Sequence, residues 1–195
     1  MSRPFPCRAI TVYCSSSNHV DGVYVETARE LGRCLAEAGY TLVFGGGHVG
    51  LMGVLSEAVR RHGGNVKGVI LQKFIDMGVA DPHVTDMEVA PDMRARKAGL
   101  ERLGDAYIAL PGGFGTLEEV TEILSFKQLG FHNKPVVLLN VNGYFDGLVR
   151  QFEASFAERF VHPRYRALYE VVPRPQDALE VIRNYSPPEA SEKLG

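Results

Sequence analysis

Cysteine is scarce in this chain of 195 residues, with only Cys7, Cys14 and Cys34 present, and none of them stands in CxxC spacing. An odd number of thiols without that spacing excludes a disulfide framework as the source of stability and a thiolate zinc site as the source of chemistry. A reducing compartment, the cytoplasm, is the expectation. Neither sign of charge prevails, since 21 Lys plus Arg stand against 23 Asp plus Glu for a formal net charge of -2. The chain therefore lacks the global basic field that drives nonspecific nucleic-acid binding. Long apolar runs are missing as well. The first one ends at the polar Ser15-Ser16-Ser17-Asn18, far short of the ~20 residues needed to cross a bilayer, so neither a signal peptide nor a membrane helix is expected. Three catalytic templates are absent too: HExxH, GxSxG and the Walker GxxxxGK[ST]. The histidines His19, His48, His62, His83, His132 and His162 form no close pair in sequence.

What is present is ordinary for a globular domain, with 45% hydrophobic and 23% charged residues. A chain of this length buries roughly 70% of the surface its unfolded form exposes, enough for a core without staples. Short β-branched runs at Ala9–Cys14, Thr41–Phe44, Val66–Leu71, Ala106–Leu110 and Pro135–Val141 alternate with amphipathic stretches. Those stretches are 24–38, 51–61, 92–103, 117–129, 145–160 and 176–185. That alternation predicts an α/β fold, a Rossmann-like doubly wound parallel sheet with helices on both faces. The region 72–92 is the least periodic and reads as a loop-rich crossover, with Thr85–Val89 as a candidate short strand, and Tyr169–Val172 reads as a short last strand. Residues 1–185 are expected to be a single nucleotide-binding domain, and 186–195 a loose tail.

Two glycine loops each fall between a strand and a helix, where open parallel sheets bind ligands. In the first, Gly45, Gly47 and Gly50 satisfy GxGxxG; in the second, Gly112, Gly113 and Gly115 precede Thr116. Backbone N–H groups of such loops approach phosphates closely at a helix N-terminus, although a tight strand-to-helix turn alone also explains the first loop. The strand after that loop ends in Leu71-Gln72-Lys73 without the acidic residue that a dinucleotide's ribose requires. A mononucleotide or sugar phosphate fits better than NAD. Thr116-Leu117-Glu118-Glu119 reads equally as a capping box, with Thr116 as N-cap, or as a hydroxyl and a carboxylate facing a ligand. In 92–103, Met93, Leu100 and Leu103 define an apolar stripe, and Arg96 and Lys97 lie on or beside it. Both either find partners or snorkel to water. A nucleic-acid role for this basic cluster is disfavoured by the net acidity and the absence of interleaved aromatics.

YCSSS at 13–17, LVFGGGHVGLMG at 42–53, MRARKA at 93–98 and LPGGFGTLEEV at 110–120 together resemble the signature set of the Lonely Guy family, the cytokinin-riboside-monophosphate phosphoribohydrolases. The resemblance spans roughly Ile10 to Asn140. It implies hydrolysis of the N-glycosidic bond of an AMP-type nucleotide, AMP or an N6-substituted AMP, to free base and ribose 5-phosphate, with neither cofactor nor metal. It also implies that Arg96 and Glu119 are the catalytic pair. Substrate would be held by Lys97, Gly112, Gly113, Phe114, Gly115, Thr116, Glu118, Ser125, Gly46 and Gly47, with phosphate on the second glycine loop. The family's frequent label of lysine decarboxylase finds no pyridoxal-phosphate lysine motif here.

Cys14-Ser15-Ser16-Ser17 stands where the family has CGSS, without the glycine, Ser125 replaces the usual threonine of the plant proteins, and the plant PRE segment has no counterpart between Gln72 and Val84. Preference for prenylated over plain adenine therefore does not carry over. A homodimer is implied, with Ile123, Leu124, Phe126 and Leu129 either at its interface or in the core. The alternative is a non-catalytic nucleotide-binding or cofactor-carrier protein that uses the same loops.

Overall fold

The computed structural model describes residues 6–187; of the expected tail, all but Ser186 and Pro187 lie outside the described residues. Seven parallel strands form one sheet in the order β4-β3-β2-β1-β5-β6-β7. They are β1 (Ala9–Tyr13), β2 (Thr41–Phe44), β3 (Val66–Leu71), β4 (Asp86–Ala90), β5 (Ala106–Ala109), β6 (Val136–Leu139) and β7 (Glu170–Val172). The interleaved helices are α1 (Gly22–Glu37), α2 (Gly50–Arg61), α3 (Gln72–Asp76), α4 (Met93–Leu103), α5 (Phe114–Leu129), α6 (Asp146–Ala157) and α7 (Pro175–Arg183). Every residue of β5 and β6 is buried, as expected of strands covered on both faces.

Side-chain alternation along each strand builds two cores. Ile10, Val12, Leu42, Phe44 and Ile108 pack with Leu31 and Leu35 of α1, Leu55 of α2 and Leu179 of α7. Their neighbours Val43, Tyr107 and Ala109 pack on the other face with Leu100 of α4, Val120 and Ile123 of α5 and Phe145. The period of two in the strands and the three-and-four spacing in the helices thus select the two faces independently. Helices cover both, as the sequence predicts.

The strand order reverses between β1 and β5. Strands β1 through β4 progress to one side, after which the chain crosses back to place β5 against the free side of β1. The carboxyl ends of these two strands lead into Cys14–Ser17 and Pro111–Gly113, joined by the Ser15 N–H donating to the Pro111 carbonyl at 3.3 Å. A crevice at this switch point is where doubly wound sheets hold ligands.

Three expectations need correction. The crossover from 72 to 92 contains a short helix, α3, where loop is expected, whereas the short strand read at Thr85–Val89 is present as the edge strand β4, paired with β3 from Lys67↔Asp86 to Leu71↔Ala90. Helix α5 begins at Phe114 rather than Leu117, with Gly113 as its N-cap and no side-chain cap. Thr116 is buried in the first turn, so the capping box does not form. Met93 is 46% exposed and meets the Arg96 guanidinium through its sulfur at 3.8 Å, so it does not join the buried stripe of α4.

Candidate active site

Helix α4 starts cleanly because the Asp92 carboxylate accepts from the Ala95 N–H at 2.8 Å, a standard N-cap. One turn later Arg96 reaches across the carboxyl ends of the strands. Its Nε donates to the Val69 carbonyl of β3 (3.1 Å) and its Nη2 to the Gly45 carbonyl just past β2 (3.3 Å). Its Nη1 donates to Glu119 Oε1 at 3.3 Å. Only 11% of the Arg96 side chain and 15% of Glu119 are exposed. Of the two readings for Arg96, the partnered one holds: a cation on a half-buried face is fixed by two carbonyls and a carboxylate from three different elements.

Glu119 does not turn back to cap its own helix; it faces Arg96. Burial raises its pKa above the ordinary carboxylate value, an effect that outweighs the opposing attraction and hydrogen bond of the guanidinium. Lys97, on the adjacent position of α4, is bound to Glu118 and donates to Glu122 at 2.9 Å. These hydrogen bonds raise its pKa above that of a free lysine. Two residues expected to hold substrate, Lys97 and Glu118, are thus paired with each other.

The two glycine loops differ in what demands glycine. At Gly45 a Cβ would collide with the Arg96 guanidinium, at Gly46 with Met87, and at Gly50 with the Ser16 backbone, while at Gly47 it would press on the flexible end of Met52 at 3.0 Å. Close neighbours and, at Gly46 and Gly50, left-handed backbone (φ 77° and 58°) account for glycine in the first loop. Asn18 Oδ1 also accepts the Gly50 N–H at 2.7 Å, so the N-terminus of α2 already has an acceptor. In the second loop Gly112 has no room beside Thr116 and Ser15, whereas a Cβ at Gly113 or Gly115 would meet nothing within 4 Å, and neither has a positive φ. Packing leaves glycine at 113 and 115 unexplained. The α5 N-terminus has no side-chain cap, and its orphan N–H groups with the helix dipole suit an anion. Phe114 stands 94% exposed beside them.

Other expected residues fall elsewhere. Ser125 lies six residues past Glu119, about 9 Å along the helix and roughly 120° around it. It lines an apolar groove of about 230 Å³ with Leu124, Phe152, Phe156 and Tyr169, and the structure does not bring it to the Arg96–Glu119 pair. Ile123 is core, while Leu124 packs partly against the same core and Leu129 is 54% exposed. Two residues that the motifs did not single out touch the loops. Asn18 was visible only as the end of a polar run, and Tyr144, whose hydroxyl donates to the Gly112 carbonyl at 2.6 Å, gave no local signal. Among the described residues no three His, Cys, Asp or Glu side chains cluster as a metal site, and no helix is long and apolar enough to cross a membrane.

Fold and site together define an α/β protein of Rossmann type, with a switch-point crevice bounded by an arginine–glutamate pair and a glycine-rich helix N-terminus. The chain belongs to the Lonely Guy family: residues 52–182 match the family model described as "Possible lysine decarboxylase". It is 41% identical over 180 residues to a probable cytokinin riboside 5'-monophosphate phosphoribohydrolase of Oryza sativa subsp. japonica, covering 92% of this chain and 74% of that protein. A cytokinin riboside 5'-monophosphate phosphoribohydrolase of Arabidopsis thaliana is 39% identical over 180 residues, covering 92% and 83%. Among solved structures, the molybdenum cofactor binding protein of Rippkaea orientalis superposes with a TM-score of 0.69 at 24% identity, covering 90% of this chain and 94% of that one. The molybdenum cofactor carrier protein of Chlamydomonas reinhardtii gives 0.68 at 23%, covering 90% and 96%. At these identities the last two establish the shared fold.

Proposed function

We propose that the protein hydrolyses the N-glycosidic bond of AMP-type nucleotides, releasing the free base and ribose 5-phosphate. The observation that carries this reading is the Arg96–Glu119 pair, a shielded carboxylate held by a guanidinium one turn inside the uncapped N-terminus of α5. Phosphate sits on the N–H groups from Gly113 to Thr116, and Gly113 and Gly115 keep the approach open. Glycosidic cleavage passes through an oxocarbenium-like state. Glu119 stabilises that cation and orients the attacking water, and Arg96 positions the substrate and carries permanent positive charge, being too weak an acid to give up a proton. Lys97 and Glu118 reach substrate by opening their mutual ion pair, while Gly46 and Gly47 shape the opposite wall. The phosphoribohydrolase names of the plant relatives support the same assignment.

The protein acts as a cytoplasmic homodimer with residues 1–185 as its nucleotide-binding domain. Its three cysteines are free thiols, in keeping with a reducing compartment. Leu129 near the end of α5 and Phe131 just beyond it, 74% exposed, offer apolar surface for a second copy. Ser125, remote from the pair, lies on the same helix and reaches substrate only if that surface closes over the site. Incubating the protein with AMP, N6-prenyl-AMP, GMP and CMP and resolving the products by chromatography tests the reading. Base release from the adenine nucleotides is expected; stabilisation by nucleotide without release would establish a carrier instead.

A further inference from the structure

The peptide between Gly112 and Gly113 joins two residues without side chains, the pair least able to hold its own orientation. Gly112 cannot be replaced by a stiffer residue, since a Cβ there would strike the Thr116 hydroxyl. Something outside the loop must fix it, because a flipped peptide would present a carbonyl oxygen to an incoming anion in place of an N–H.

Tyr144 is placed to do so. The connection after β6 is a tight turn with left-handed backbone at Asn142 (φ 50°) and Gly143 (φ 71°). Asn140 staples it, with its Oδ1 accepting the Phe145 N–H at 2.7 Å and its Nδ2 donating to Asp146 at 2.8 Å. The turn swings Tyr144 back over the sheet end. Its ring meets Phe145 and Tyr24 edge-on at centroid distances of 5.3 and 6.0 Å, and its hydroxyl donates to the Gly112 carbonyl at 2.6 Å. A trans peptide points its C=O and N–H in opposite directions, so holding the Gly112 oxygen against Tyr144 holds the Gly113 N–H facing away from it.

We propose that Tyr144 is a positioning residue of the phosphate loop, locking the Gly112–Gly113 peptide with its N–H turned toward the substrate's phosphate. The inference rests on the proposed phosphate site at the start of α5, but not on the bond-breaking step. Tyr144→Phe removes the hydroxyl and keeps the ring packing. Its effect belongs to ligands that carry phosphate: the Kd of ribose 5-phosphate by calorimetry, and the KM of AMP, rise roughly 3- to 10-fold, the worth of one hydrogen bond. Turnover at saturation stays within about twofold of the parent on the same scale, and so does the Kd of adenosine. Asn140→Ala, which loosens the turn, shifts the phosphate ligands in the same direction, and unfolding temperatures confirm that both variants are folded.

Unchanged ribose 5-phosphate affinity in folded Tyr144→Phe overturns the proposal. So does an equal loss for adenosine, which marks general loosening, and so does a wild-type protein that fails to bind ribose 5-phosphate. If wild-type protein binds AMP and ribose 5-phosphate but releases no adenine, the hydrolytic reading falls, and the affinity comparison still decides the role of Tyr144.

Discussion

Replacing Glu119 by glutamine should cut turnover by about a hundredfold or more without weakening the fold. At an effective dielectric near 20, unit charges 3.3 Å apart attract by roughly 5 kcal/mol. The Glu119 pKa nevertheless lies above its ordinary value, because burial disfavours the charge by more than Arg96 favours it. That balance already includes the loss of the ion pair on neutralisation. A carboxyl whose folded pKa exceeds its unfolded one is an ionised liability above the folded pKa, and glutamine removes it. Arg96 retains the Val69 and Gly45 carbonyls. Stability at pH 7 should therefore be unchanged or slightly higher by denaturant titration, against the 3–5 kcal/mol loss typical when a buried pair is broken, or the ~1 kcal/mol of a lost cap.

Base release should fall by about a hundredfold or more, ~2.7 kcal/mol of barrier. The parent's acid limb in kcat/KM should lie above the ordinary glutamate range of ~4.3, since the carboxylate is lost as pH drops through the raised pKa, and the limb should vanish in the variant. A folded Glu119→Gln that released adenine within about tenfold of the parent rate would refute the mechanism. A loss of several kcal/mol in stability would refute the electrostatic argument.

The remaining expectations concern the loops, a buried lysine and the surface of α5. Gly113→Ala, sterically open but replacing the N-cap of α5 with a poor capping residue, should cost roughly 0.5–1 kcal/mol in unfolding while raising the KM for AMP. Gly45→Ala, which drives a methyl into Arg96, should lose both stability and activity, as unfolding and base-release assays will show. Lys127 is buried against the Leu168 carbonyl (2.7 Å) and the Tyr185 ring, and burial lowers its pKa to about 8. The unfolded chain thus binds the extra proton between about 8 and 10.5, so this residue's contribution to stability rises with pH across that window. Lys127→Met should lack the rise, read as the difference from parent because the raised thiols of Cys7 and Cys14 act in the opposite sense. Leu129→Glu should halve the mass seen by light scattering if α5 forms the dimer contact; an unchanged dimer mass would place the contact elsewhere.

The sheet and its two covered faces were legible because β-branched runs and three-and-four spacing are local patterns, each set by what a single element buries. β4 was the least legible strand for the converse reason. At the sheet edge Asp86 and Val89 are exposed while Met87 and Glu88 are half-buried, so neither alternation nor a continuous apolar run marks it. The α5 boundary misleads for a different reason. Thr116 and Glu119 have the spacing of a cap, but Gly112 and Gly113 allow the helix to start at Phe114, which carries Thr116 inside and leaves Glu119 to a partner 23 residues earlier in the chain.

Arg96 was legible only as a cation with no evident reason to lie on its face, and its partners Val69, Gly45 and Glu119 come from three separate segments. Tyr144 lies 32 residues from the carbonyl it holds, beyond any motif window. The glycines divide along the same line. Those of GGGHVG are called for by close neighbours and, at Gly46 and Gly50, by left-handed backbone, so their pattern reports the turn and its packing. Gly113 and Gly115 face open space, and inside the fold Gly113 serves as the N-cap of α5. Glycines that no neighbour crowds at a helix end without a side-chain cap leave room for the proposed phosphate.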